Sequence, residues 1–293
     1  VWVLHPSSDW AGVPDAGEET MPAGSRARAI DSLAPTVQPL ASMATAHPSH
    51  PAASGHNNSL AQGTVLGVPV AVCADVFAAA LALHQGGGGQ VVTLNAEMTM
   101  AARADRALGE AIAAAQLVIP DGAGVVWALA RQGRRVRRSP GIELAWRLLE
   151  HAAQRQWRVA LVGASPEVMA ALRSRLAQDL PSLLLVMAVH GYQEPGAWPA
   201  LEQQLLALQP DLVLVALGVP RQETWTQRLH QGRPGLWMGV GGSFDVWAGV
   251  KTRAPGWMGR CQIEWLFRLI QEPSRWRRML SLPAFAWQVL RQG

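Results

Sequence analysis

Residues 211–223 read DLVLVALGVPRQE: six apolar residues in a row, Leu212 to Leu217, stop on Gly218, and Pro220 then opens a polar stretch. A run this short and this apolar suits a strand buried on both faces, because a strand with one face in water would alternate. Gly218 ends the strand, and Pro220 sits at a first helical turn, where its missing N–H is not needed. The segment reads as one strand-to-helix step of a parallel sheet.

The same step recurs along the chain. Apolar strands are predicted at VLGVPVAV (65–72), QVVTL (90–94), LVIP (117–120), WRVALVGA (157–164), LLLVMAV (183–189) and LWMGVGG (236–242). Helical patterns fall near 74–84, 97–115, 123–132, 142–155, 166–179, 197–208 and 220–230. The alternation predicts an α/β, Rossmann-like fold with a mostly parallel sheet covered by helices on both faces. At 49% apolar residues the chain can build a sizeable core. Residues 1–60, rich in Pro, Ala, Ser, Gly and His without a period, read as a disordered or low-complexity segment. The core is expected over 61–250 and a basic, Trp-rich appendage over 251–293.

Charge separates that appendage from the body. From Lys251 onward there are eight basic and two acidic residues, net +6, whereas the whole chain is +4, so the preceding residues carry −2. Trp257, Trp265, Trp276 and Trp287 are interleaved with arginines, a mixture that favours a membrane interface bearing anionic groups. Ile263, Leu266, Leu269 and Ile270 share one helical face, which ordinary packing also explains. No RNA-binding signature accompanies the tail, so no nucleic acid partner is expected. Cys73 and Cys261 make neither a metal spacing nor a disulfide framework, and cytosolic residence is expected. No stretch approaches 18 uninterrupted apolar residues, and the opening VWVLHP lacks the basic flank of a signal peptide.

In open α/β sheets ligands sit beyond the carboxyl ends of the strands, and the polar punctuation of this chain falls there. TLNAE places Thr93 and Asn95 where they either cap a helix or hydrogen-bond a sugar. In PDGAG, Asp121 either caps the helix that follows or serves as an active-site acid or base. Gly122 and Gly124 allow close packing or the approach of a phosphate or sugar. Arg221 and Gln222 sit at the ligand edge, while Glu223 suits the helix dipole without any further role. GVGGSFD (239–245) offers backbone amides, but neither it nor Gly163-Ala164-Ser165 has the dinucleotide spacing.

Taken together these motifs resemble the WecG/TagA/CpsF family of bacterial glycosyltransferases. They run in family order over about 65–280: TLNAEM (93–98), PDGAGV (120–125), LVGASPEV (161–168), HGY (190–192), PDLVLVALGVPRQE (210–223), GVGGSFDVWAG (239–249), RAPGWM (253–258) and IEWLFRLIQEPSRWRR (263–278). The resemblance implies an inverting, metal-independent transfer of a hexose or N-acetylhexosamine from a UDP-sugar to a polyprenyl-pyrophosphate-linked saccharide. It would occur at the cytoplasmic membrane face, in surface or exopolysaccharide synthesis, without a cofactor.

Carried over by motif, Asp121 is the expected base, with Thr93 and Asn95 beside it. Gly122, Gly141, Glu143, Gly163, Gly218, Arg221, Gln222, Glu223, Gly239, Gly241 and Asp245 are the expected substrate-binding positions. Arg253, Arg268, Arg275 and Arg278 are expected at the acceptor pyrophosphate or membrane, a role that suits the guanidinium fork. Homo-oligomerisation is compatible with the family. Two departures stand out: Glu143 replaces the usual Asp of Gly-x-Asp-Leu, and Cys261-Gln262-Ile263 replaces the usual Gly-Leu before Glu264-Trp265. The first bears on donor identity, the second on the hinge into the tail. The rival reading is a non-catalytic, membrane-surface, nucleotide-sugar-binding subunit of a polysaccharide assembly complex. A silent subunit has no chemical need for a positioned base.

Overall fold

The computed structural model describes residues 61–260, 264–273 and 276–292. The expectation for residues 1–60 lies outside them. The described chain starts with a hairpin, β1 (Gln62–Val65) and β2 (Val68–Ala71), paired antiparallel. VLGVPVAV is therefore not one strand. Leu66 and Gly67 take φ of 52° and 86°, the left-handed pair that a two-residue hairpin turn demands.

The alternation follows as α1 (Val76–Gln85), β3 (Gly89–Leu94), α2 (Ala96–Ala104), α3 (Arg106–Ala114), β4 (Leu117–Pro120), α4 (Ala123–Arg131) and α5 (Gly141–Arg155). It continues with β5 (Arg158–Gly163), α6 (Pro166–Asp179), β6 (Leu184–Val189), α7 (Trp198–Ala207), β7 (Leu212–Ala216), α8 (Arg221–His230) and β8 (Leu236–Gly239). The helices α9 (Ser243–Trp247), α10 (Gly256–Arg260), α11 (Glu264–Gln271), α12 (Trp276–Met279) and α13 (Ser281–Gln292) come last. The single helix expected near 97–115 is two. Asp105 leaves α2 in extended backbone, and its carboxylate accepts the Leu108 N–H to start α3.

Strands β3 to β8 form one parallel sheet in the order β4-β3-β8-β7-β5-β6. Side chains alternate across it as the pleat requires. Leu212 and Leu214 of β7 pack into a core with α1, α5 and α6, while Val213 and Val215 pack with α7 and α8 on the opposite face. A third core joins the hairpin, α2, α3 and α4 to the buried Phe285 and Val289 of α13. The α/β sheet covered on both faces is thus what the chain builds, and its last helix belongs to the packed body. Among the described residues no helix is long and apolar enough to cross a membrane.

Candidate active site

The strand order sets the carboxyl ends of β4, β3, β8 and β7 side by side. Their loops open a cleft of about 320 Å³. Thr93, Asn95 and Asp121 line one side, Gly218, Gln222 and Gly241 the other. Lys251, Arg253, Phe267, Gln271 and Arg278 cover it from the tail. A smaller hollow of about 110 Å³ adjoins it, bounded by Gly122 and by Trp265 and Leu282 of the tail. Asn95, Asp121 and Arg138 line both hollows.

Asp121 is held from several sides. Its N–H donates to the carbonyl of Leu94 on the neighbouring strand at 3.0 Å. Its Oδ1 accepts the N–H of Gly141, the first residue of α5, at 2.8 Å. Helix α4, which directly follows Asp121, has Gly122 at its N-cap and no side-chain cap. Asp121 therefore caps a helix twenty residues on, not the one it precedes. Gly141 must be glycine for this approach, since a Cβ there would lie 2.4 Å from Thr93 Cγ2. Gly122 likewise makes room for Asn95, whose Cβ would be 2.8 Å away.

Asn95 does cap its helix: its Oδ1 accepts the Met98 N–H at 2.9 Å. That use of the oxygen leaves the amide nitrogen as what Asn95 offers a ligand, a donor rather than a base. Arg138 is the residue that motif reading passed over. Its Nε donates to the Asp121 carbonyl at 2.8 Å, which anchors a cation beside the carboxylate. The only hint in the sequence is the arginine-rich run RQGRRVRR at 131–138.

The tail is tied down over the cleft. Lys251 pairs with Glu272 at 2.6 Å and with Asp245 at 3.2 Å. Burial alone would lower the Lys251 pKa, but the two carboxylates outweigh it and raise it, so the ammonium stays charged. Gln271 Nε2 donates to the Thr252 carbonyl at 2.9 Å. Arg253 pairs with Glu143 in the first turn of α5, so Glu143 faces the tail and does not line the cleft. Arg275 lies outside the described residues, as does the side chain of Arg268.

Five other motif residues stand off the cleft. Gly163 (φ 123°) lets β5 close on β7, where a Cβ would meet the Ala216 carbonyl at 2.4 Å. Arg221 turns outward and places its guanidinium 4.7 Å over the Trp198 ring. Gly239 leaves room for Gln222 and Glu223, and Glu223 itself is 2% exposed. Asp245 reaches the cleft only through Lys251. Among the described residues no three His, Cys, Asp or Glu side chains gather as a metal-binding group.

A parallel α/β sheet whose strand ends hold a positioned carboxylate among cations and glycine amides has its cleft where open α/β sheets place their ligand sites. The chain belongs to the family described as "Glycosyl transferase WecG/TagA/CpsF family", which matches residues 63–293. It is 35% identical over 207 residues to the N-acetylglucosaminyldiphosphoundecaprenol N-acetyl-beta-D-mannosaminyltransferase of Bacillus subtilis (strain 168), covering 70% of this chain and 80% of that one. The protein of the same name from Bacillus spizizenii is 35% identical over 211 residues, 71% of this chain and 81% of its own length.

Proposed function

We propose that the protein is an inverting, metal-independent glycosyltransferase. It would move an N-acetylhexosamine from a UDP-sugar to a saccharide carried on a polyprenyl diphosphate, in synthesis of a surface polysaccharide. The activities named for the two Bacillus relatives support the lipid-linked acceptor and favour N-acetylmannosamine as the sugar. The observation that carries the reading is the position of Asp121 where two hollows meet. The larger, walled by Gly218, Gly241 and the tail cations, is assigned to the UDP-sugar. The smaller, bordered by Trp265 and Leu282, is assigned to the acceptor sugar.

In that arrangement the acceptor hydroxyl gives its proton to the Asp121 carboxylate as its oxygen attacks the anomeric carbon from the face opposite the phosphate. The bond from that carbon to the phosphate oxygen breaks, and UDP leaves with the electron pair. Lys251, Arg253 and the loop amides offset the charge that develops on it. Thr93 and the Asn95 amide hold sugar oxygens. The exposed tryptophans and arginines of α10 to α13 seat the enzyme on the inner, anionic face of the membrane.

Asp121→Asn tests the base directly. Turnover should fall roughly 100-fold or more while UDP binding stays within about twofold, the signature of lost proton transfer. Full activity in this variant would sink the assignment. A screen of UDP-sugars with a polyprenyl-diphosphate-linked N-acetylglucosamine acceptor, read as UDP release, identifies the donor.

A further inference from the structure

Glu223 stands directly behind the cleft wall, with one carboxyl oxygen against a side chain that ties two of the cleft loops together. The Gln222 amide lines the cleft and bridges the ends of β7 and β8: its Oε1 receives the N–H of Gly218 at 3.2 Å and of Gly241 at 3.3 Å. An amide has two orientations, and the flipped one would set its NH₂ against two N–H donors. Gln222 Nε2 donates to Glu223 Oε1 at 2.7 Å, which holds the productive orientation from behind. We propose that Glu223 is a positioning residue for the diphosphate half of the donor, acting through Gln222 to keep the Gly218 and Gly241 loops in register. The inference rests on the assignment of the larger hollow to the UDP-sugar.

Two further features support it. Gly239 stands where a Cβ would collide with this pair, 2.6 Å from Gln222 Nε2 and 3.1 Å from Glu223 Oε1. Glu223 also brings no packing advantage. Its Oε2 has no hydrogen-bond partner among the described residues, and an apolar side chain would fill the position with less desolvation.

The groups around Glu223 are uncharged. Helix α8 supplies Gln222 and Thr226, β8 supplies Gly239, and Gln90 of β3 donates to the Glu223 main-chain carbonyl at 3.1 Å. The titratable side chains of the packed elements lie elsewhere. His230 ends α8, with its pKa lowered first by burial, and Arg106 and Glu110 of α3 pair with each other in solvent. Arg221 and Arg228, also on α8, are occupied by Trp198 and Glu202. Burial pushes the Glu223 carboxyl up to about 7 against the pull of Gln222. The neutral acid keeps a carbonyl oxygen for the amide, whereas ionisation sets a negative charge behind the amides that face a diphosphate.

Calorimetric titration of UDP between pH 6 and 9, with donor KM and kcat, tests this on wild type, Glu223→Leu, Glu223→Gln and Gly239→Ala. Glu223→Leu and Gly239→Ala should each weaken UDP binding and raise donor KM by roughly tenfold, with kcat within about threefold of wild type. Glu223→Gln keeps an acceptor oxygen and should bind UDP within about twofold of wild type at pH 6. It should also lose the decline in affinity that wild type shows as pH rises through about 7. If Glu223→Leu misfolds, the other two variants carry the test. Unchanged UDP affinity in Gly239→Ala and Glu223→Leu, or a wild-type pH profile in Glu223→Gln, overturns the proposal. A wild type that does not bind UDP overturns the donor assignment beneath it, a result distinct from wild-type and variant proteins binding equally.

Discussion

At the residue scale, the contrast between Arg221 and Gln222 shows how neighbours in one motif part company. Successive residues of a helix point about 100° apart, so Gln222 turns into the cleft wall while Arg221 turns out to Trp198. The motif locates both, and only the helix orientation separates them. Asp121 is the converse case: its residue type and loop are legible, but its helix partner Gly141 comes from the connection between α4 and α5. Glu223 also carries a stability consequence with a definite sign. Its folded pKa is raised from 4.5 to about 7, so the native state binds the extra proton. The stabilisation is complete below about 4.5 and is lost as pH rises through about 7, a change of roughly 3 kcal/mol. Urea titrations at pH 4.5 and pH 8 should show this loss in wild type and not in Glu223→Gln. An equal loss in both would contradict the assignment to Glu223.

At the element scale, periodicity located most strands and helices, and it failed where a single residue redirects the backbone. Leu66-Gly67 folds one apolar run into a hairpin, and Asp105 divides one helical pattern into two. The last helix is the larger surprise. Its sequence reads as part of a basic surface appendage, yet Phe285 is 2% exposed and packs with the α2 and α4 core. Phe285→Ala should lower stability by about 3–5 kcal/mol through the cavity it leaves, measurable as a fall in thermal midpoint. A change of less than about 1 kcal/mol would mean that α13 is not integral to the body. For the same reason, removal of everything after Gly249 would disturb the core as well as the surface.

At the scale of the whole molecule, the proposed membrane association turns on the exposed apolar residues of the tail. Trp257, Ile270, Trp276, Leu280 and Trp287 are all more than half exposed, and Arg277 and Arg291 lie 5.5 and 5.4 Å over Trp276 and Trp287. Combined Trp257→Ser, Trp276→Ser and Trp287→Ser should cut co-flotation with anionic phospholipid vesicles by roughly tenfold while the thermal midpoint holds. Undiminished flotation would move the contact elsewhere. The sequence by itself determined the α/β alternation, the strand-end location of the TLNAE, PDGAG, GVPRQE and GGSFD loops and the family, because these are written in local periodicity and contiguous motifs. Only the tertiary structure decided which strand ends adjoin, and so which motif residues share the cleft. The order β4-β3-β8-β7-β5-β6 keeps Gly163 off the cleft and brings Arg138, Lys251 and Gly141 to it. That order follows from long-range packing of buried faces, to which no short window of the chain has access.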